Sequence, residues 1–160
     1  MQSPSHILAI PTATVETLAN SLSLLGRLLL AYLFVVEGCG KIFAYADVQF
    51  YMAQYGVSPS LLPLVIVTEL GGGLLIALGL FTRPVAFALG GFCVLTALIF
   101  HHSGADAAIG LEKDLSIAGG FFELASRGTG AWAVDSWLGA RARFPRSIDE
   151  MTSSASQRNS

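Results

Sequence analysis

Three stretches of this chain stay apolar for longer than a soluble core requires. The first runs from about 22 to 45, with LLLAYLFVV at 28–36 as its densest part. The second covers about 60–81 and includes LLPLVIVTELGGGLLIALGLF. The third covers about 84–102 and includes PVAFALGGFCVLTALIFH. A helix needs about 20 residues to cross the hydrocarbon core of a bilayer. A fourth, weaker run at about 112–127 has the core LSIAGGFFELA. Hydrophobic residues make up 53% of the chain and charged ones 12%, against about 25% charged in a soluble domain. These observations predict an all-α integral membrane four-helix bundle in one domain at 22–135. A polar segment at 1–21 precedes it, and an interfacial, then disordered, tail at 136–160 follows. The lack of any Lys or Arg before Arg27 argues for a retained first span rather than a cleaved signal, which begins with a basic region.

The connections read differently from one another. Thr82-Arg83-Pro84 is a tight turn in which Thr82 suits a cap and Pro84 the first helical turn. DVQFYMAQYGVSPS reads as a polar loop between the first two spans, and HHSGADAAIGLEKD as the loop between the last two. Arg27, Arg83, Arg127, Arg141, Arg143 and Arg146 fall on one side of the spans, and only Lys41 and Lys113 on the other. The excess of positive charge marks the cytoplasmic side, so both termini are expected there. Trp132, Trp137 and Phe144 beside the tail arginines suit a segment at headgroup level. No basic patch with interleaved aromatics points to nucleic acid.

Charge inside the spans singles out candidate functional residues. Glu69 falls near the bilayer midplane, and Glu123 lies three residues, roughly 5 Å, nearer the cytoplasm. Arg27 is nearer still to that side. It is either an interfacial anchor or the partner of Glu69 or Glu123 inside the bundle, because an unpaired charge in a span costs about 2.5–3.5 kcal/mol. A second polar layer holds Glu37 and Lys41 at i, i+4, the favourable order for a helical ion pair. His101, His102, Lys113 and Asp114 fall at a similar depth. These six form either a solvated rim or the lining of one outer cavity. No metal site is expected, because neighbouring histidines on a helix point about 100° apart. Cys39 and Cys93 lie at different depths, which argues against a disulfide. The glycines at 71–73, 90–91 and 119–120 suit close helix packing, with a break at Gly71–Gly73 that exposes carbonyls as the alternative.

Together, the Arg in the first span, GCGKI at 38–42, TELGGGLLIALGLFTRP at 68–84, LIFHH at 98–102, EKDLSIAGGFFELA at 112–125 and the Gly-Thr-Gly…Val-Asp at 128–135 resemble the DoxX family. That resemblance implies a small four-helix bacterial inner-membrane protein with both ends cytoplasmic. Arg27, Lys41, Glu69, Arg83 and Lys113 match positions the family fills with the same residue type. Asp114 stands where Asn is expected and Glu37 where many members have a small or neutral residue, so the outer layer is more acidic here. The family takes its name from a membrane subunit of a thiosulfate:quinone oxidoreductase. The resemblance therefore implies a redox-linked subunit, with quinone as cofactor and a soluble oxidoreductase as partner. Glu69 would be the central group of an intramembrane acidic pocket, Arg27 its charge partner, and Glu37, Lys41 and Lys113 its outer mouth. The alternative is a non-enzymatic membrane protein, either a small-solute transporter working as a homo-oligomer or an assembly or stress-response factor.

Overall fold

The computed structural model describes residues 11–101 and 107–143. Within them the chain forms α1 (Thr12–Phe43), α2 (Tyr45–Gln54), a short 3-10 turn at Pro59–Leu61, α3 (Leu62–Leu78), α4 (Thr82–Phe100), α5 (Ala107–Arg127) and α6 (Val134–Arg143). The helix α1 starts at Thr12, well before the expected span limit at 22. Its polar side chains there need no outside partner. The hydroxyls of Thr17 and Ser21 donate to the carbonyls of Ala13 and Thr17 at 2.8 and 2.9 Å. His102 and the tail beyond Ser147 lie outside the described residues.

The expected polar loop after the first span is instead largely the helix α2. Val48, Met52 and Tyr51, Tyr55 recur at helical spacing, and Met52 is buried against Leu62 and Ile66 of α3. Periodicity of 3.6 in VQFYMAQY carried this signal. Helix α3 runs unbroken through Gly71–Gly73, so these glycines do not open the backbone; Gly72 and Gly73 sit against Leu89 and α1, whereas Gly71 has open space. Its end is a left-handed turn at Gly79 with φ 68°, closed by Leu80 N–H donating to Leu75 O at 3.0 Å. That is the Schellman arrangement that glycine favours. A side chain at Gly79 would also fall on the Arg27 guanidinium and on Ala133.

Helices α1 and α3 run antiparallel in close contact, as do α4 and α5, and the two pairs join through α3 and α4. The α1–α3 seam depends on missing side chains. A Cβ at Gly73 would come within 3.2 Å of the Ala31 carbonyl oxygen, and one at Gly38 within 2.8 Å of Leu70. Between the pairs lies a core of Ala31, Phe34, Ile76, Ala86, Leu89, Cys93, Ala118 and Phe121. Phe34 and Phe121 meet edge to face at 5.1 Å and 90°, the geometry the ring quadrupoles prefer. The outer faces carry exposed Leu22, Leu25, Leu29, Leu64, Val67, Leu74, Phe87, Leu95 and Leu98. Such a belt suits lipid. Among the described residues three helical segments are long and apolar enough to cross a membrane: Thr12–Phe43, Pro59–Leu78 and Thr82–Phe100. Helix α5 differs in carrying Glu112, Lys113 and Asp114 near one end and Glu123 and Arg127 near the other.

One end of the bundle, the arginine end, is stapled by the segment after α5. Asp135 accepts from the backbone N–H groups of Phe81 and Thr82, both at 2.9 Å. Its own N–H donates to Gly79 O at 3.0 Å. Asp135 therefore caps α4 from a distance, at the first-turn N–H groups that a helix leaves unpaired. Thr82, the residue expected to cap, has a buried hydroxyl with no partner among the described residues. The distant cap lets Phe81 hold its left-handed φ of 49°. Asn20 and Ser23 of α1 bind the same segment, through Ala131 N–H at 3.1 Å and Thr129 O at 3.3 Å.

Two outcomes are expected in thermal unfolding of detergent-purified protein. Gly73→Ala should destabilise by about 1–3 kcal/mol through overpacking at the α1–α3 seam. Gly71→Ala, where a Cβ meets nothing within 4 Å, should be neutral or stabilise by up to about 1 kcal/mol. Equal losses at the two positions would refute the seam. Separately, Asp135→Ala should cost about 1–3 kcal/mol, because two backbone donors lose a charged acceptor. Wild-type stability in that variant would show that the cap is dispensable.

Candidate functional site

Helix direction explains how Glu69 finds its partner. Side chains on a helix lean toward its N-terminus. Lys41, near the C-terminal end of α1, leans back into the bundle. Glu69, on the antiparallel α3, leans toward the α2 end and so toward Lys41. Gly38, one turn below Lys41, lets α3 approach at that level. The Lys41 ammonium lies 2.9 Å from Glu69 Oε1 and 3.3 Å from Glu37 Oε2. The Glu69 side chain is only 7% exposed, and its second oxygen, Oε2, has no hydrogen-bond partner among the described residues.

This triad forms one wall of a cavity of about 580 Å³ at the α2 end of the bundle. Helices α4 and α5 supply the other wall. There Asp114 Oδ2 lies 3.4 Å from His101 Nε2 and accepts from the Thr96 hydroxyl, also at 3.4 Å. The Thr96 hydroxyl is shared with the Cys93 carbonyl at 3.0 Å. Lys113 is exposed at the rim. Between the walls the lining is apolar, with Leu33, Phe34, Val65, Phe92 and Ile117 prominent. Tyr51 of α2 covers the outer edge, stacked on Phe100 with ring centroids 5.5 Å apart. Burial, followed by the hydrogen bond and charge of Tyr55, pushes the Tyr51 phenol above the usual tyrosine value. The phenol therefore stays a neutral hydrogen-bonding group at neutral pH. Cys39 and Cys93 are both free thiols.

Glu37, Lys41, Glu69, His101, Lys113 and Asp114 thus line one cavity. Two other candidates lie elsewhere. Arg27 is buried at the arginine end, where Nη2 donates to Trp132 O at 2.8 Å and Nη1 to Thr129 O at 3.4 Å. This corrects the expected pairing of Arg27 with Glu69 or Glu123. The loop after α5 returns over Arg27 and offers it carbonyls, a partner that counting depth along four spans leaves out. Glu123 faces outward and pairs with Arg127 one turn on, both well exposed. It is not an interior acid. Thr96, Tyr51 and Phe92 were not singled out by sequence. Thr96 sits in an apolar run at the level of Asp114, and that single hydroxyl was the available signal.

The DoxX family profile matches residues 22–102 of the chain. The inner membrane protein YqjF of Escherichia coli (strain K12) is 45% identical over 117 residues, which cover 72% of this chain and 90% of that protein. The inner membrane protein YphA of the same strain is 35% identical over 123 residues, covering 71% of this chain and 88% of that protein. No solved structure matches the chain significantly.

A double-mutant cycle in detergent distinguishes the two possible partners of Glu69. Lys41→Met and Glu69→Gln should be non-additive by at least about 1 kcal/mol, as expected for groups in direct contact. Arg27→Met and Glu69→Gln should add within about 0.5 kcal/mol. Coupling to Arg27 instead of Lys41 would overturn the assignment.

Proposed function

The chain belongs to the DoxX family of inner-membrane proteins, and from that premise we propose that it is a membrane subunit of a quinone-linked oxidoreductase system. The observation that carries this reading is the pairing of two polar clusters across one apolar cavity in a chain with membrane-spanning helices. The charges lining the cavity almost cancel. Glu37, Glu69 and Asp114 stand against Lys41 and Lys113, with His101 beside them. A balanced field selects a neutral ligand over a strongly charged one. Aromatic and aliphatic walls select a flat apolar body, and a volume of about 580 Å³ is in the range of ligand sites, roughly 300–1,000 Å³. A quinone ring meets these demands, and it reaches such a site through lipid.

Lys41 would donate to one quinone carbonyl, and the Thr96–Asp114–His101 cluster would serve the other. Reduction to the quinol takes two electrons and two protons. The electrons would come from a soluble oxidoreductase partner. Glu69, with one oxygen held by Lys41 and the other without a partner among the described residues, would carry one proton, and the His101–Asp114 pair the second. Each cluster sits on its own wall, so each proton has a separate route. The same reading takes α5 as the fourth span, with its uncharged Leu115–Phe122 stretch between charged ends. It places the arginine end and both termini in the cytoplasm, in keeping with the distribution of arginines.

Equilibrium dialysis of the nanodisc-embedded chain with decylubiquinone tests the reading. Wild-type protein should bind it, and Thr96→Val with Lys41→Met should weaken binding about tenfold or more through lost hydrogen bonds. In anaerobic membranes, Glu69→Gln should slow quinone reduction by roughly 10²–10⁴, the usual loss for a proton-transfer group. Absence of quinone binding to the wild type would rule the reading out and leave the non-enzymatic alternatives.

A further inference from the structure

At the arginine end, away from the cavity, lies a second cleft of about 360 Å³. Two helices aim cations at it: Arg83 from the first turn of α4 and Arg127 from the last turn of α5, both exposed. Three hydroxyl residues complete the lining, Thr82, Thr129 and Ser136. The Thr82 hydroxyl is buried without a partner among the described residues. Gly128, at φ 83°, keeps the loop floor low enough for Arg83 to lie across it; a Cβ there would come within 3.2 Å of Arg83 Nε. The acid in the cleft, Asp135, has both oxygens engaged by backbone N–H groups of the α3–α4 turn. Its charge is balanced by the buried Arg27, which leaves Arg83 and Arg127 for a ligand. Glu123 pairs with Arg127 from the exposed face of α5 and competes for that guanidinium alone.

We propose that this cleft binds the phosphate of a net-anionic phosphodiester headgroup. Two guanidinium forks match phosphate oxygens, and Arg–phosphate contacts are charge-assisted and bidentate. The Thr129 and Ser136 hydroxyls already donate to Gly130 O, so Thr82 is the lining hydroxyl without a partner among the described residues. The depth suits a lipid. The lipid-facing belt ends beside the cleft at exposed Leu78 and Phe81, and exposed Trp132 and Trp137 flank it. Tryptophan concentrates at the level of the headgroups. The acyl chains of the bound lipid would then lie along the α3–α4 face, and the phosphate would hold the α3–α4 turn against the segment after α5. The site is independent of the quinone reading, because it shares no lining residue with the cavity.

Native mass spectrometry of the full chain in detergent, with added phosphatidylglycerol or phosphatidylcholine, tests the assignment. Phosphatidylglycerol should be retained in preference, and Arg83→Gln with Arg127→Gln should weaken its retention roughly thirtyfold at unchanged helicity. Thr82→Val, which keeps the side-chain shape, should weaken it in the same direction and serves as the readout should the double variant not fold. Glycerol phosphate and inorganic phosphate at millimolar concentration should leave the lipid in place. Displacement by either would overturn the lipid as the source and make the cleft a site for free phosphate. Equal retention of the two lipids, or full retention in both sets of variants, would overturn the site itself.

Discussion

A carboxylate held inside a span must find a cation within the protein, because lipid offers neither charge nor hydrogen bonds. In this chain the partner is Lys41, and much of the α2 end of the bundle follows from bringing the two groups together. The contact at 2.9 Å needs α1 and α3 side by side. Their closeness needs Gly38 and Gly73, because side chains there would strike Leu70 and the Ala31 carbonyl. Once α1 and α3 are joined along this seam, their charged wall faces α4 and α5 across a gap, and α2 covers the gap from above. The cavity is thus the space left by two tight helix pairs that meet each other less closely.

The arginine end solves the same problem differently. Arg27 is buried and cationic, but its partners are backbone carbonyls at Thr129 and Trp132. Asp135 supplies the balancing charge while it caps α4. An ion pair would hold two side chains; this arrangement holds a whole segment. The polypeptide after α5 is fixed to α1 and to the α3–α4 turn at once. The two ends therefore differ: the arginine end commits Arg27 Nη1 and Nη2 and the Asp135 carboxylate to backbone, while at the α2 end Glu69 is held by Lys41 and its Oε2 has no partner among the described residues.

Much of this was legible in the sequence, and the limits have physical causes. Apolar run length located α3 and α4 closely, because crossing lipid sets a minimum length that few other constraints imitate. Depth arithmetic with opposite helix directions places Glu37, Lys41, His101, Lys113 and Asp114 in one layer, as a solvated rim or a cavity lining, and puts Glu69 deeper; the structure brings all six to one cavity. The partner of Glu69 did not follow from that arithmetic. Depth was counted at Cα positions, whereas a lysine side chain spans more than a helical turn and leans toward its helix N-terminus. On that scale Lys41 and Glu69 are neighbours although their Cα levels differ. Arg27 was misjudged for a related reason, since its acceptors are carbonyls of a loop and carbonyls leave no mark in composition. Helix α2 reads as a loop by composition because its polar residues outweigh Val48, Tyr51, Met52 and Tyr55, whose spacing is helical.

Glu37 and Asp114 bear on how the cavity is held. Asp114 accepts from the Thr96 hydroxyl and lies 3.4 Å from His101, so it ties α5 to α4 at the cavity wall. Glu37 adds a second acid to Lys41, which then divides its charge between two carboxylates instead of serving Glu69 alone. A lysine shared in this way holds Glu69 less firmly than a dedicated partner would. Glu37 and Asp114 thus place one acid on each wall of the cavity, the first sharing Lys41 with Glu69 and the second joining Thr96 to His101.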